Sequence, residues 1–191
     1  MTLPRITYAN VVSSLALFIA LGGTSVAVIS SQSTSRCGSQ GGDCTGRNLD
    51  GKNYSHKDLT RSVWDRASLV GASFTGSDLY GSSFDGANLS KANLSHGNRT
   101  QSLFRNANMQ NANLKSGDFW GSDLRNADLR GATFDGTKMD RTDLSGANLK
   151  GATIRNSSFH DVHLCRTVQP NGQVRNDDCN GVTGGSGGTL P

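Results

Sequence analysis

Apolar positions recur along most of this chain with a strict period of five residues. A period of five fits neither an α-helix, which repeats every 3.6 residues, nor a β-strand, which repeats every 2. It indicates a repeat architecture in which each short unit adds one side chain to a continuous core. Every fifth residue from Leu49 to Leu164 is apolar or aromatic except Arg99, and the interior series is Leu49, Tyr54, Leu59, Trp64, Leu69, Phe74, Leu79, Phe84, Leu89, Leu94, Arg99, Phe104, Met109, Leu114, Phe119, Leu124, Leu129, Phe134, Met139, Leu144, Leu149, Ile154, Phe159 and Leu164.

The residues around each interior position also follow a pattern. From Ser62 onward the residue two places before it is small almost throughout, and the residue one place before it is usually Asp, Asn, Ser or Thr. The residue two places after it is most often Gly or Asn, which tolerate the positive φ of a tight turn. A turn after every five residues predicts a coil with short, straight edges.

The repeated unit A-(N/D)-L-x-x resembles that of the pentapeptide repeat family. It is found at Ala87-Asn88-Leu89, Ala92-Asn93-Leu94, Ala112-Asn113-Leu114, Ala127-Asp128-Leu129 and Ala147-Asn148-Leu149. The resemblance covers residues 47–166 and implies an all-β fold, a right-handed four-sided parallel β-helix. It implies 20 residues per coil and about six coils, so residues 20 apart stack and the packed interior leaves no pocket.

The N-terminal segment, residues 1–27, is predicted to be a helical export signal. Arg5 supplies positive charge, Val11–Leu21 is apolar, and small residues precede a cleavage site after Ala27. The segment is similar to those of exported proteins of high-GC Gram-positive bacteria, which implies a secreted or cell-surface protein. The alternative is an uncleaved membrane anchor formed by residues 11–29.

Three further segments flank the repeats. Residues 28–46 are rich in Ser, Gly and Gln, and we interpret them as a linker and N-terminal cap. Residues 167–180 are predicted to form a C-terminal cap. Residues 181–191 are predicted to be a flexible Gly-rich tail.

All four cysteines lie at the ends of the repeat array. In a β-helix of this length the two ends are too far apart for a disulfide to join them. We therefore predict the bonds Cys37–Cys44 and Cys165–Cys179, which agree with an exported protein. The alternative is a metal site, with His160, His163, Cys165 and Cys179 as ligands.

Arg99 interrupts the interior column Leu59, Leu79, Arg99, Phe119, Met139, Phe159. Burying an unpaired guanidinium is costly, so we expect the coil to bulge or to turn Arg99 outward, with Leu103 moving inward to compensate. Either this is a tolerated defect, or Arg99 forms a binding site with Tyr80 and Trp120, which are predicted to flank it on one edge.

The remaining features indicate a protein without catalysis or cofactors. The chain has no Gly-rich phosphate loop and no HExxH motif, and its histidines occupy outward-facing repeat positions. The leading hypothesis is a rigid exported binding or spacer module at the cell surface. Its partner is then an unknown protein or a cell-envelope polymer. The net charge of +4 favours an anionic polymer, because opposite charges attract.

Three other functions are open to a chain with this sequence. Some pentapeptide repeat proteins imitate DNA and modulate DNA gyrase, but they present a continuous acidic face, whereas the column Asp65, Asp85, Arg105, Arg125 changes sign. No nucleic-acid partner is expected. An uncleaved N-terminus would instead give a membrane-anchored scaffold. A carboxylate pair such as Asp140 and Asp143 could serve an enzyme. Enzyme active sites are usually concave, however, and the predicted β-helix offers no such pocket around the pair.

Overall fold

The computed structural model describes residues 36–176 and Cys179, and the predicted signal and tail lie outside these residues. Each coil of the array takes 20 residues. Parallel bridges join residues exactly one coil apart, from Asp43↔Val63 to Asn148↔Val168. Two short strands, β1 (Thr133–Asp135) and β2 (Thr153–Arg155), pair in parallel with the same offset. The chain therefore winds as a parallel β-helix with four short faces per coil.

The polar residue before each interior position helps to close the corner of the coil. In one coil the Asp78 Oδ1 atom accepts a hydrogen bond from the backbone N–H of Tyr80 (3.0 Å), and two coils later, at the same corner, Asp118 Oδ1 accepts one from Trp120 (3.1 Å). Asn and Asp side chains form this type of turn readily. The prevalence of Asp and Asn at this position thus has a local cause, independent of any ligand.

The residue two places after each interior position has a positive φ. Gly71 illustrates the turn, with φ of 65° and a 3.0 Å hydrogen bond from the N–H of Ala72 to the carbonyl of Leu69. Glycine adopts this conformation without steric cost. Several coils place larger residues there, among them Arg61, Lys91 and Gln101, so the ladder between coils enforces a conformation that these residues rarely choose.

The interior is filled by the predicted columns of side chains. Trp64, Phe84 and Phe104 stack in successive coils, with ring centroids 5.8 and 5.0 Å apart and planes within 6° of parallel. Such contacts add to the free energy gained from apolar burial. The small residues beside the columns are buried too, and their hydroxyl groups donate to carbonyls of the preceding coil, as in Ser82–Leu59, Ser102–Leu79, Ser122–Arg99, Thr137–Leu114 and Thr167–Leu144.

Both ends of the array carry the predicted disulfides, Cys37–Cys44 and Cys165–Cys179. At the C-terminal end, β3 (Thr167–Val168) and β4 (Val174–Arg175) pair antiparallel, unlike the coils before them. This hairpin and the nearby disulfide lie where the last coil would otherwise offer an unpaired edge. Within residues 36–176, we find no helix that is long and apolar enough to cross a membrane.

The structure corrects the prediction for Arg99. The coil does not bulge, since the bridges Asp78↔Asn98 and Asn98↔Asp118 continue through it, and the Arg99 side chain is fully buried. Leu103 does not move inward either; it lies half-buried on the outer side of the next face. The ladder fixes the orientation, because turning Arg99 outward would break its backbone hydrogen bond to the Asp118 carbonyl (2.7 Å).

Candidate binding edge

Two aromatic side chains project from one corner column of the β-helix. We call this column the aromatic edge; it contains Thr60, Tyr80, Thr100, Trp120, Asp140 and His160, one from each coil. Tyr80 and Trp120 are each 38% exposed, and within the described residues only Val174 is another exposed large apolar side chain. The two aromatic residues occupy equivalent positions two coils apart, as the sequence predicted.

Each aromatic ring is held by a residue of the following coil. The Tyr80 hydroxyl donates a hydrogen bond to Gln101 Oε1 (2.8 Å). The Arg141 guanidinium lies 5.5 Å from the centroid of the Trp120 ring, in a cation–π contact. In both cases the contact joins residues 21 apart. The same corner geometry therefore restrains both rings, because each ring contacts a side chain of the following coil.

Two aliphatic residues next to the edge were not predicted to belong to the outer surface. Val63 and Leu103 occupy the position that usually carries Asp or Asn, and both lie half-buried on the outer side of the adjoining face. Along the axis of the β-helix, the order is Val63, Tyr80, Leu103 and Trp120, one from each of four successive coils. An aliphatic residue at an outward position of the repeat is the sequence signal that could have shown that the apolar surface extends beyond the two aromatic residues.

Arg99 is not part of this surface. Its Nη2 atom donates to the carbonyl of Phe74 (2.7 Å), while Nε and Nη1 are buried without a partner in the described structure. Burial lowers the pKa of the Arg99 guanidinium to about 10, although nearby Asp78 acts in the opposite direction. The predicted site of Tyr80, Arg99 and Trp120 is therefore wrong in one member, because a ligand on the edge cannot contact Arg99.

Space for the Arg99 side chain comes from a glycine two residues before it. A Cβ atom at Gly97 would overlap Arg99 Nη1 and the carbonyl oxygen of Ser77. His96 and Gly97 form a bend where most coils have a hydrogen-bonded turn. The interior thus accepts an arginine through a local change in the coil that leaves the outer edge continuous.

The C-terminal part of the edge carries a hydrogen-bonded polar cluster. Asp140 accepts hydrogen bonds from the backbone N–H of His160 (2.8 Å) and from the Ser158 hydroxyl (2.9 Å), and His160 Nδ1 lies 3.0 Å from Asp140 Oδ1. Burial raises the pKa of Asp140, but these hydrogen bonds outweigh it and hold that pKa below its usual value. The cluster fixes an anionic carboxylate beside the aromatic residues.

The alternative metal site is wrong, because Cys165 and Cys179 are bonded to each other. Among the described residues, no group of three or more His, Cys, Asp or Glu side chains is placed to hold a metal ion.

Several acidic side chains elsewhere on the described surface are paired with arginines. Arg125 Nη2 lies 2.6 Å from Asp123 Oδ2, and Arg130 Nη2 lies 2.6 Å from Asp128 Oδ2. Asp85 pairs with Arg105 of the next coil. The side-chain hydrogen bond from Arg130 lowers the pKa of Asp128, with burial acting against it. These pairs break up the negative potential that a continuous acidic column would create.

A model of the pentapeptide repeat family matches the chain with eight copies. The matches cover residues 55–90, 82–121, 107–146, 122–161 and 141–168, which together exceed half of the chain. Among curated proteins, none matches significantly.

Many solved structures are similar to this chain, three of them as follows. A pentapeptide repeat protein of the Arabidopsis thaliana thylakoid lumen is 30% identical, with a TM-score of 0.39, over 74% of this chain and 84% of that one. QnrB1, a plasmid-mediated fluoroquinolone resistance protein, is 14% identical, with a TM-score of 0.47, over 73% and 96%. Rfr23, a pentapeptide repeat protein of the cyanobacterium Cyanothece 51142, is 25% identical, with a TM-score of 0.30, over 60% and 89%.

The resemblance drawn from the A-(N/D)-L-x-x units is thus confirmed by the family match. The family match also agrees with the observed 20-residue parallel coils, which correspond to the right-handed quadrilateral β-helix of this family. The chain belongs to the pentapeptide repeat family.

Proposed function

We propose that this protein is a non-catalytic, exported binding module that acts at the cell surface through its aromatic edge. The observation that carries the proposal is the pair Tyr80 and Trp120, exposed at equivalent positions and each held by a residue of the next coil. Restrained aromatic side chains are frequent anchors of binding surfaces, since little conformational entropy is lost when they contact a partner.

The disulfides support an extracellular location. Cys37–Cys44 and Cys165–Cys179 use all four cysteines of the chain. Disulfides persist in oxidising compartments and are rare in the cytosol. Together with the predicted export signal at residues 1–27, they favour secretion with cleavage after Ala27, or retention by an anchor at residues 11–29.

A packed interior supports a binding role over catalysis. The columns fill the inside of the coils, as shown by the fully buried Trp64, Phe84 and Phe104. Substrate-converting sites are usually concave and shield their reactants from water. The polar cluster of Asp140, Ser158 and His160 lies instead on an outer corner, where His160 is exposed.

The charge pairs weigh against the gyrase alternative. A protein that imitates duplex DNA needs a long run of unpaired carboxylates, whereas Asp85, Asp123 and Asp128 are each paired with an arginine. Stoichiometric inhibition of gyrase supercoiling by the purified protein would reverse this ranking.

Intact mass of the native protein tests the location directly. Medium, membrane and cytosol fractions are separated, and each is measured with and without reductant. We expect a chain beginning at Val28, lighter than its reduced form by the four hydrogens of two disulfides. An uncleaved, oxidised chain in the membrane fraction would assign the anchored form. A cytosolic chain beginning at Met1 with free thiols would contradict export.

A further inference from the structure

We infer that the aromatic edge binds an extended glycan of β-1,4-linked, N-acetylated amino sugars lying parallel to the axis of the β-helix. This inference rests on the proposed function, because it assumes that the edge meets an extracellular polymer. Tyr80 and Trp120 supply two stacking surfaces, and the side chains around them supply hydrogen-bonding groups.

The spacing of the aromatic rings fits such a polymer. Tyr80 and Trp120 lie two coils apart at the same position of the repeat. Parallel strands are about 4.8 Å apart, so the two residues are separated by about 10 Å along the axis. One disaccharide of an extended β-1,4-linked glycan has nearly this length. Alternate sugars of that chain also present the same face, so sugars n and n+2 can stack on the two rings in one orientation.

The edge between the rings leaves room for the intervening sugar. Thr100 is the member of the column between Tyr80 and Trp120, and it is small and half-buried. Gly81 and Gly121 directly follow the two aromatic residues and carry no side chain, and the Cγ atoms of Arg61 and Gln101 lie 3.7 and 3.9 Å from where their Cβ atoms would be. The unbroken bridges Asp78↔Asn98 and Asn98↔Asp118 keep this stretch regular. The two rings therefore project from a straight surface that a linear polymer can follow.

The polar side chains near the rings match the groups of an amino sugar. Gln101 carries an amide that donates and accepts hydrogen bonds, and the carboxylates of Asp78 and Asp118 accept them. Sugar hydroxyl groups both donate and accept, and an acetamido group offers an N–H to a carboxylate. The C–H face of a pyranose ring packs against the negative face of an aromatic ring. These are the interactions that an uncharged glycan can satisfy.

The local charge argues against an anionic polymer. The net charge of the chain is +4, but Asp78, Asp118 and Asp140 all lie at or beside the aromatic edge. Lys138 Nζ lies 3.6 Å from Asp118 Oδ2, Arg141 contacts Trp120, and Arg61 follows Thr60, so three cationic side chains balance these three carboxylates. A polyanion would therefore gain no net electrostatic attraction at the edge, whereas an uncharged N-acetylated glycan needs none. The expectation of an anionic envelope polymer is therefore replaced by that of a neutral one.

Titration of the purified full-length protein with chitin oligosaccharides tests the inference. Chitobiose, chitotetraose and chitohexaose are compared by calorimetry. A disaccharide reaches one ring only, whereas a tetrasaccharide reaches both, so we expect the tetrasaccharide to bind at least about tenfold more tightly. The hexasaccharide should add little. Chitotetraose should also reduce the quenching of Trp120 fluorescence by acrylamide.

Single variants connect the length dependence to the two rings. Tyr80→Ala and Trp120→Ala should each reduce the affinity for chitotetraose to that for chitobiose, whereas Tyr80→Phe should keep most of it because the ring remains. Val174→Ala is the matched control, since Val174 is also an exposed apolar side chain but lies in β4. Thermal unfolding of each variant shows that loss of binding does not reflect loss of the fold.

Several results would overturn the inference. They are no binding of chitotetraose, equal affinity for chitobiose and chitotetraose, or unchanged affinity in both alanine variants. Equal affinity for cellotetraose would overturn the assignment to amino sugars. The proposed function has a separate readout, binding to isolated cell envelopes. If Tyr80→Ala/Trp120→Ala loses envelope binding while wild-type protein ignores chitotetraose, the glycan inference fails and the binding role stands, with a protein partner as its object.

Discussion

Nη1 of Arg99 occupies the space that a Cβ atom would take at Gly97. The two residues are therefore a coupled pair: the glycine admits the guanidinium, and the guanidinium in turn bars any larger residue two places before it. Most other coils place Ala, Ser or Thr at this position. The pair lies inside the β-helix, directly beneath the edge that carries Tyr80 and Trp120, and it alters the interior without altering that edge.

A double-mutant cycle measures this coupling. Gly97→Ala alone should destabilise the fold by roughly 1–3 kcal/mol, because the new methyl group forces a shift in the packed interior. In the Arg99→Met background the cost should be smaller, since Nη1 is gone and the bend at residues 96–97 can relax. Urea unfolding of the four proteins gives the interaction energy. Equal costs in both backgrounds would show that the Ser77 carbonyl, and not Arg99, excludes the side chain.

Arg99→Met should raise the free energy of unfolding by roughly 1–4 kcal/mol at neutral pH. Two of the guanidinium nitrogens, Nε and Nη1, are buried without a partner in the described structure, and a thioether side chain requires none. Chemical denaturation of both proteins at one pH measures the difference. A destabilised Arg99→Met protein would mean that the bond to the Phe74 carbonyl outweighs the cost of burying the charge.

The stability difference between the two proteins should also depend on pH. Burial lowers the pKa of Arg99 to about 10 in the folded state, below its value in the unfolded chain. Between these two values the unfolded chain binds more protons, so stability rises with pH there. The advantage of Arg99→Met should therefore be constant at lower pH and shrink as the pH passes about 10. Taking the difference removes titrations that the two proteins share. A constant advantage up to about pH 11 would contradict the account.

Ser62→Ala should cost about 1–3 kcal/mol, because it leaves the buried indole N–H of Trp64 without its acceptor. The Trp64 Nε1 to Ser62 Oγ distance is 2.6 Å, and both residues are fully buried. Ser77→Ala is the control: its hydroxyl donates to the Phe74 carbonyl at 2.7 Å, and that carbonyl keeps a bond from Arg99. Thermal unfolding should give a clearly smaller loss for Ser77→Ala. Equal losses would mean that the indole finds another acceptor.

Removing either disulfide should destabilise the described fold by about 2–3 kcal/mol in the chain-entropy model. Cys37–Cys44 closes a separation of 7 residues and Cys165–Cys179 one of 14, so the second bond should contribute slightly more. Guanidinium unfolding of Cys37→Ser/Cys44→Ser and of Cys165→Ser/Cys179→Ser provides the comparison. Reductant should destabilise the wild-type protein by the sum of the losses measured for the two double variants. It should not affect the variant in which all four cysteines are replaced by serine.

Much of the architecture was predictable because the sequence carries one strong periodic signal. The interior series follows from counting in fives, whereas the 20-residue coil, and with it the common edge of Tyr80 and Trp120, follows from the resemblance to the pentapeptide repeat family. The prediction for Arg99 was wrong because the cost of burying its charge is only one of the terms that decide its orientation. The coil-to-coil ladder, the space at Gly97 and the Phe74 carbonyl acceptor together decide its orientation, and these appear only in three dimensions. Leu103 was predicted to move inward for the same reason, although its place in the repeat indicated an outward position.

Co-sedimentation of the purified protein with isolated cell envelopes of its source organism tests the central claim most directly. We predict that wild-type protein and Val174→Ala sediment with the envelopes. Tyr80→Ala/Trp120→Ala should remain in solution with an unchanged thermal midpoint. Equal sedimentation of all three proteins, or none by the wild type, would contradict the assignment of the aromatic edge as the binding surface.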